Sequence, residues 1–516
     1  MQVNIGEMVA RRAKRMPHRE AVVEADGAQM RRLTYTELNH RVNKLTHALR
    51  DMGVSHGERV GILLMNSIEF IETFFAVGKT GATLVPLNWR LTPDELEFIL
   101  KDSGTQTLVF GPEFQGIVTE IESRGAKTDI ARYVQVGGET ATFATDMAAA
   151  CAAQPVSEPE IIGGDDDLMY IMYTSGTTGL PKGVMHSHKT VFWAVSNMMA
   201  TNEVGKNETT LSSLPMFHVG ALTPAFQSVY AGYRIVITRS FDPVRSWEII
   251  TEEKITNTLL VPAMLQAMRA VYDPAKHDAS SLRSMVSGAA PVPVSLIEAY
   301  ADLGIAVNQV YGMTETCGPG CLILGEDAKA RPGSTGRGYF YTDVRITAPD
   351  GTECPPGVSG EVCMRAPNNM VGYWNKPDAT AEALRDGWLY SGDVGVMDKD
   401  GFVTIVERLK DMLISGGENV YPAEIENVLL SHPGVADAAV IGIPSAKWGE
   451  SAMGVIVRTP GSDVTEADLI ALTKSKLASF KSIKRVKFTD TIPRNPSGKI
   501  LKRALRDIYG DVHAPE

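Results

Sequence analysis

Three apolar runs end at Tyr173, Ser287 and Tyr311, and each stops at a loop of small residues: TSGTTG, GAAP and GMTET. Each run reads as a buried strand. Strands that alternate with helix signals and stop in this way fit an open, parallel-rich sheet, where ligands bind beyond the carboxyl ends of the strands. Three such loops predict one shared ligand. The first 110 residues carry the same rhythm. Thr34 or Thr36 caps a helix through Leu38, Val42, Leu45 and Leu49. Residues 60–64 and 83–87 read as strands, 70–76 as a helix, and Thr92-Pro93-Asp94-Glu95 opens another helix. This βαβα order implies a mostly parallel sheet covered on both faces.

The first of the three loops also carries charge. Residues 173–183 read YTSGTTGLPKG. Glycines let backbone N–H groups converge and let a polyanion come close. Gly176 and Gly179 supply that freedom, Thr174, Ser175, Thr177 and Thr178 add donors, and Lys182 adds a positive charge. The composition is that of a phosphate cradle. It is not a Walker A loop, because Pro181 precedes the lysine and Gly183 follows it, where that motif has Gly before and Ser or Thr after. A plain polar loop is the alternative, and it has no use for the lysine.

Further along, residues 190–199 read as a helix, 211–217 as an apolar strand ending at His218, and 234–238 and 257–261 as strands. From about residue 336 the pattern becomes short strands broken by turns such as Pro349-Asp350-Gly351 and Lys399-Asp400-Gly401. That reads as an antiparallel, barrel-like subdomain over about 336–406. After the charged stretch 407–411 a compact α+β pattern follows: strand 412–414, helix 422–430, strands 436–443 and 453–457, helix 465–477 and strand 484–488. The expected fold class is α/β. A large N-terminal domain of parallel-rich sheets with helices spans 1–409, and a small, mobile α+β C-terminal domain spans 411–516.

Composition narrows the partners. The 516 residues are too many for one core. A net charge of −11 disfavours nucleic acid and anionic membranes as partners, so basic residues must be concentrated wherever phosphates bind. Five cysteines are an odd, sparse set that fits a reducing, cytoplasmic setting. Cys317 and Cys321 have no nearby His or further Cys to complete a zinc site. No apolar run approaches the roughly 18 residues of a membrane span. The basic start (Arg11, Arg12, Lys14, Arg15) lacks an apolar core, so it is not a secretory signal; with Glu7 in the same stretch it predicts an amphipathic helix, with a transit peptide as the alternative. The chain ends at Glu516 without a Ser-Lys-Leu signal or a carrier segment. An acidic multi-domain chain is compatible with a monomer or a homodimer.

Five segments, in order, carry a closer match: YTSGTTGLPKG at 173–183, YGMTET at 311–316, YSGDV at 390–394, RLKDMLISGGENVYPAEIE at 408–426 and PRNPSGKILK at 493–502. Together they resemble the acyl-adenylate-forming superfamily, and within it the acyl-CoA and aryl-CoA synthetases, over essentially the whole chain. The resemblance implies two steps. A carboxylic acid attacks the α-phosphate of ATP to give acyl-AMP and pyrophosphate, and the thiol of CoA then displaces AMP. It implies that Thr174 to Lys182 hold the β- and γ-phosphates, that Thr314 meets the α-phosphate, and that Glu315 binds Mg²⁺. Tyr311, beside Gly312, stacks on adenine, flanked by Gly288, Ala289, Ala290 and Pro291, with Gln309 on the adenine amino group. Asp393 accepts the ribose hydroxyls, Arg408 adds a ribose or phosphate contact, and Lys499 is the catalytic cation between carboxylate and α-phosphate. Lys410 is the hinge, and rotation about it brings in Ser415, Gly416 and Gly417 to line the thiol's path, with Trp448 nearby and Phe480 on the CoA adenine.

For the acid itself, the resemblance points to His218 as the gate, with Val219, Gly220, Leu222, Trp193, Phe226 and Met313 as pocket walls. The tryptophan gate that some long-chain synthetases carry just after this histidine is replaced here by Leu222. Gly220 leaves room for either a fatty or an aromatic acid. Three alternatives stand beside this reading: an adenylation enzyme that loads a carrier protein, a non-catalytic nucleotide-binding homologue, and a luciferase-like oxygenase. The first lacks the acidic residue expected near His218, and intact Lys182, Glu315, Asp393, Arg408 and Lys499 oppose the second.

Overall fold

The structure, a computed structural model, describes residues 2–26, 30–174, 181–202, 207–289, 292–415, 418–445, 448–477, 479–494 and 500–515. The chain divides into two compact units, one of residues 1–344 and 364–389, the other of 345–363 and 390–516.

The first unit holds two large sheets. The eight-stranded sheet runs Gly372–Tyr373, Lys182–Ser187, Leu168–Thr174, Thr83–Pro86, Arg59–Leu63, Thr105–Phe110, Arg132–Gln135, Thr145–Asp146. Its pairs are parallel from Leu168–Thr174 onward and antiparallel before it. The nine-stranded sheet has Ala306–Tyr311, Ser284–Ser287, Asn257–Leu260, Thr209–Ser212 and Arg234–Ile237 as parallel neighbours. Both sheets are therefore parallel-rich, as expected, with antiparallel strands at their edges.

Local sequence starts the helices where expected. Thr34 and Glu37 form a capping box for Tyr35–Asp51, and Thr92 and Glu95 do the same for Pro93–Ser103. The helix expected over 70–76 is longer, Ile68–Thr80, capped by Ser67 and closed by Gly81 at φ 77°. All thirteen of its residues are buried. Glu69, Glu72 and Lys79 interrupt its apolar run and hide its length from a periodicity reading. Each has a partner: Arg31 for Glu69, Arg41 for Glu72, and Asn39, Asn43 and Glu158 for Lys79.

The apolar run 211–217 differs more. Its strand is Thr209–Ser212 only. Pro215 cannot supply a ladder N–H, and Asn66 takes over, accepting from Met216 N (2.8 Å) and donating to Leu214 O (2.8 Å). His218 thus caps a helix, Val219–Ala231, rather than ending a strand.

Residues 343–408 form a five-stranded sheet ordered Asp343–Thr347, Ser359–Arg365, Trp388–Met397, Leu384–Arg385, with Val403–Arg408 antiparallel to Trp388–Met397. In the second unit, another sheet runs Glu418–Val420, Leu413–Ser415, Gly449–Arg458, Val435–Ser445, with Arg485–Phe488 beside Gly449–Arg458. Alternation along its strands makes two apolar faces. Val440 and Ile456 pack with Ile425, Leu429 and Leu469 of two helices, and Ile441, Met453 and Val455 pack with Leu505 of the last helix. Among the described residues no helix is long and apolar enough to cross a membrane.

Candidate active site

The strand β1 (Leu168–Thr174) and the strand β2 (Lys182–Ser187) are antiparallel partners, with Thr174 opposite Lys182. The two strands that flank the phosphate-like segment therefore pair antiparallel within the eight-stranded sheet. The other two small-residue loops follow β3 (Ser284–Ser287) and β4 (Ala306–Tyr311), parallel neighbours in the nine-stranded sheet. The three strand ends therefore lie in the same unit, as expected, but in two different sheets. Ser175, Gly176, Thr177, Thr178 and Gly179 lie outside the described residues, as do Ala290 and Pro291.

Beyond β4 the chain folds into a 3₁₀ turn, Thr314–Thr316. Gly312 is required there, because a Cβ would fall 1.7 Å from the Gly318 carbonyl oxygen. Cys317 closes the turn at φ 55°, a left-handed conformation that costs about 1 kcal/mol or more for a side-chain-bearing residue. Its buried thiol meets the Tyr170 hydroxyl at 3.0 Å, and burial pushes its pKa up to about 12. It is a neutral packing group, as is Cys321. Among the described residues no cluster of metal-ligating side chains involves either.

The turn carries Glu315, whose Oε1 accepts from the Tyr373 hydroxyl at 2.9 Å. The ammonium of Lys182 lies 5.0 Å from the centre of the same tyrosine ring. Tyr373 therefore joins the cation of β2 to the carboxylate of the turn. Thr314 is tied to β2 as well: its carbonyl accepts from His186 Nε2 at 2.7 Å. Burial pushes the His186 pKa down to about 4, so the ring is neutral and its Nε2 carries the proton it donates. Sequence reasoning missed His186. The signal was its place on β2, where residues 182, 184 and 186 share a face.

The adenine-side expectations fall together on β3 and β4. Ser287 is in register with Gln309. Ala289 holds φ 70°, and a Cβ on Gly288 would meet the Val310 carbonyl at 2.8 Å. Gln309 is buried; its Oε1 accepts from Val292 N at 3.2 Å, while its Nε2 has no partner among the described residues. The orphaned buried atom is a donor, which fits an acceptor nitrogen of a bound heterocycle; the adenine amino group, itself a donor, would instead need the Oε1 that Val292 N occupies. Tyr311 and Met313 pack beside Met364, Met370 and Tyr373.

The acid-side residues divide. His218 precedes α2 (Val219–Ala231, with α1 the preceding helix His188–Thr201), and its ring lies 4.4 Å from that of Phe217. Among the described residues, a Cβ added at Gly220 would meet nothing within 4 Å, so the described structure leaves space beside the helix there. Leu222 and Phe226 are buried in the core, Phe226 with Phe74 and Phe75 at 6.4 Å. Trp193 of α1 stands edge-on to Tyr341, 5.4 Å away.

In the second unit, buried Asp393 is in register with Arg408, whose side chain is outside what is described. Lys410 lies in the 3₁₀ turn Leu409–Asp411. Ser415 is buried, Trp448 N donates to Ser445 Oγ at 3.2 Å, and Phe480 packs on the C-terminal core. Gly416, Gly417 and Lys499 lie outside the described residues. The helix α3 (Lys502–Tyr509) follows Lys499 and is firmly held. Lys502 pairs with Glu426 (3.0 Å) and Glu407 (3.2 Å), and Arg506 with Asp411 (2.6 Å). Burial pulls the Lys502 pKa down, but these carboxylates more than offset it and raise it above the ordinary lysine value.

The chain is similar to known proteins over nearly its whole length. The chain is 41% identical over 510 residues to the long-chain-fatty-acid–CoA ligase FadD13 of Mycobacterium tuberculosis, covering 98% of each. It is 41% identical over 508 residues to a feruloyl-CoA synthase of an Amycolatopsis species, covering 98% of this chain and 99% of that one. Its fold matches O-succinylbenzoate coenzyme A synthetase (MenE) from Bacillus subtilis, solved in complex with ATP and magnesium ion, with a TM-score of 0.87 and 30% identity over 98% of this chain and 100% of that one. The AMP-binding enzyme description matches residues 9–374, and the AMP-binding enzyme C-terminal domain matches 424–499. With these matches, and with Lys182 and the carboxylate of Glu315 sharing Tyr373, the chain belongs to the AMP-binding enzyme family.

Proposed function

We propose that the protein is an acyl-CoA synthetase for a medium- or long-chain fatty acid or a cinnamate-like aromatic acid. The observation that carries this reading is Tyr373, which meets both Lys182 and Glu315. A carboxylate approaching a triphosphate is an anion approaching a polyanion, so the site must supply cations and donors where charge collects. Lys182 and Thr174 hold the β- and γ-phosphates, and Thr314 holds the α-phosphate. Glu315 would hold Mg²⁺, a hard cation suited to one carboxylate plus phosphate oxygens, which supplies charge neutralisation when bound. Gln309 and Tyr311 receive the adenine and Asp393 the ribose. The acid's oxygen attacks the α-phosphorus and the bond to pyrophosphate breaks, with Lys499 between the two anions. The sulfur of CoA then attacks the acyl carbon and the bond to AMP breaks. His218 and the open space at Gly220 border the acid. Relatives that act on a long-chain fatty acid and on a ferulic acid unit support both substrate classes.

The test is carboxylate-dependent exchange of labelled pyrophosphate into ATP, run from acetate through long-chain and phenylpropenoid acids, followed by thioester formation with CoA or a holo carrier protein. Exchange with some acid, and transfer to CoA rather than to the carrier, is the expected result. No exchange with any acid would sink the proposal.

Lys410 is proposed as the hinge about which residues 411–516 rotate between the two steps. Proline fixes φ near −65°, which the 3₁₀ turn Leu409–Asp411 accepts but a rotated hinge does not. Lys410→Pro is expected to slow thioester formation from supplied acyl-AMP by at least tenfold, roughly the cost of one lost conformation, with pyrophosphate exchange little changed. Equal rates of both half-reactions in wild type and variant would remove Lys410 from this role.

A further inference from the structure

A 3₁₀ turn has poor internal hydrogen-bond geometry, yet a metal-binding carboxylate must be held to within about 0.5 Å. The turn Thr314–Thr316 meets that demand with outside donors. Four consecutive carbonyls accept from four separate places: Thr314 from His186 Nε2 (2.7 Å), Glu315 from Met370 N (2.7 Å), Thr316 from Asn368 Nδ2 (2.7 Å) and Cys317 from Thr223 Oγ1 (3.1 Å). Two of the side-chain donors, His186 and Asn368, flank Glu315 on either side, and both are 0% exposed.

Each of the two is itself held. His186 Nδ1 lies 3.1 Å from Thr190 Oγ1. Asn368 Oδ1 accepts from Asn197 Nδ2 at 3.0 Å, and Asn197 is fixed in turn by Thr342 Oγ1 (2.9 Å) and Tyr341 N (2.8 Å). A buried imidazole and two buried amides are costly to desolvate. Satisfied in this way they specify one geometry instead of merely filling space.

We infer that His186 and Asn368 are positioning residues for the proposed adenylation step, fixing the backbone on both sides of Glu315 so that its carboxylate is set for the metal–nucleotide complex. The inference rests on the functional reading above and adds to it two residues outside the five motif segments. Outer partners of metal ligands affect affinity or activity by about 10–100-fold.

The test compares the two half-reactions in the full chain. His186→Asn keeps a nitrogen near the Nδ1 position and loses the donor at Nε2; His186→Gln restores a donor near Nε2. Asn368→Asp keeps the shape and replaces the donor by an acceptor. The expected result is a rise of about tenfold or more in the Mg²⁺ half-saturation and the KM for ATP in pyrophosphate exchange for His186→Asn and Asn368→Asp. His186→Gln should stay within about threefold of wild type, and thioester formation from supplied acyl-AMP should be nearly unchanged in all three. Equal losses in both half-reactions, or none, would overturn the inference while leaving the enzyme reading intact. A variant that does not fold leaves the decision to the other; failure of both to fold would mark a purely structural role and also overturn it. Absence of exchange in the wild type overturns both readings.

Discussion

Glu315→Gln is expected to lower carboxylate-dependent pyrophosphate exchange by about 100-fold or more, the size of effect seen when a single group stabilising a transition-state charge is removed. The amide keeps the size of the side chain and an oxygen that can still accept from the Tyr373 hydroxyl, which lies 2.9 Å away in the native protein. The carbonyl of residue 315 still accepts from Met370 N. Fold and turn should therefore survive, with a thermal midpoint close to that of the wild type. The missing feature is one negative charge, and Mg²⁺ strongly prefers a carboxylate to an amide. The loss should thus appear as a weakened Mg²⁺ dependence and be partly recovered at high Mg²⁺. Thioester formation from supplied acyl-AMP, which involves no triphosphate, should change little. A Mg²⁺ half-saturation equal to that of the wild type would remove Glu315 from the metal role.

Much of the fold could be read directly because its signals are local. Thr34 with Glu37 and Thr92 with Pro93 and Glu95 announce their helices within four residues, and the strand Ser284–Ser287 is bounded by its own composition. What could not be read depends on partners distant in sequence. Nothing in YTSGTTGLPKG says that its two ends lie on antiparallel partner strands, or that the strands ending at Ser287 and Tyr311 belong to another sheet. The length of Ile68–Thr80 was hidden because Glu72 and Lys79 read as surface residues until Arg41 and Glu158 are seen beside them.

The site shows the same division. Lys182, Thr314 and Glu315 stand in motifs whose residue types explain themselves, and the structure joins Lys182 to Glu315 through Tyr373 and Thr314 to β2 through His186. Tyr373 itself, His186 and Asn368 were not singled out. A histidine in a strand and an asparagine in a loop have common structural uses; only their bonds to the carbonyls of Thr314 and Thr316 connect them to the turn that carries Glu315. Phe226 shows the converse. It stands in the stretch after His218, yet its ring packs into the core with Phe74 and Phe75.

Lys499→Ala should give the sharpest separation of the two half-reactions. In adenylation the attacking carboxylate and the α-phosphate are both anionic, and a cation between them offsets a repulsion that grows as they approach. Removing it should slow pyrophosphate exchange by about 1,000-fold, near the upper end for loss of one preorganised charge. In the second step a thiol attacks the acyl carbon of the acyl-AMP and the bond to AMP breaks, pyrophosphate having already left the α-phosphorus. No comparable charge builds up, so thioester formation from supplied acyl-AMP should stay within a few-fold of wild type. The substitution should be structurally mild, because the segment is anchored beyond it. Lys502 holds Glu426 and Glu407, and Arg506 holds Asp411, so α3 keeps its place without Lys499. Lys502→Ala is the contrasting control: it takes a shared ion-pair partner from buried Glu407 and partly buried Glu426, a loss of up to about 3–5 kcal/mol, and should lower the thermal midpoint and both half-reactions together. If Lys499→Ala behaved as that control does, losing both steps in parallel, the lysine would be a structural residue and the cation for adenylation would have to be sought elsewhere, with Lys182 as the first candidate.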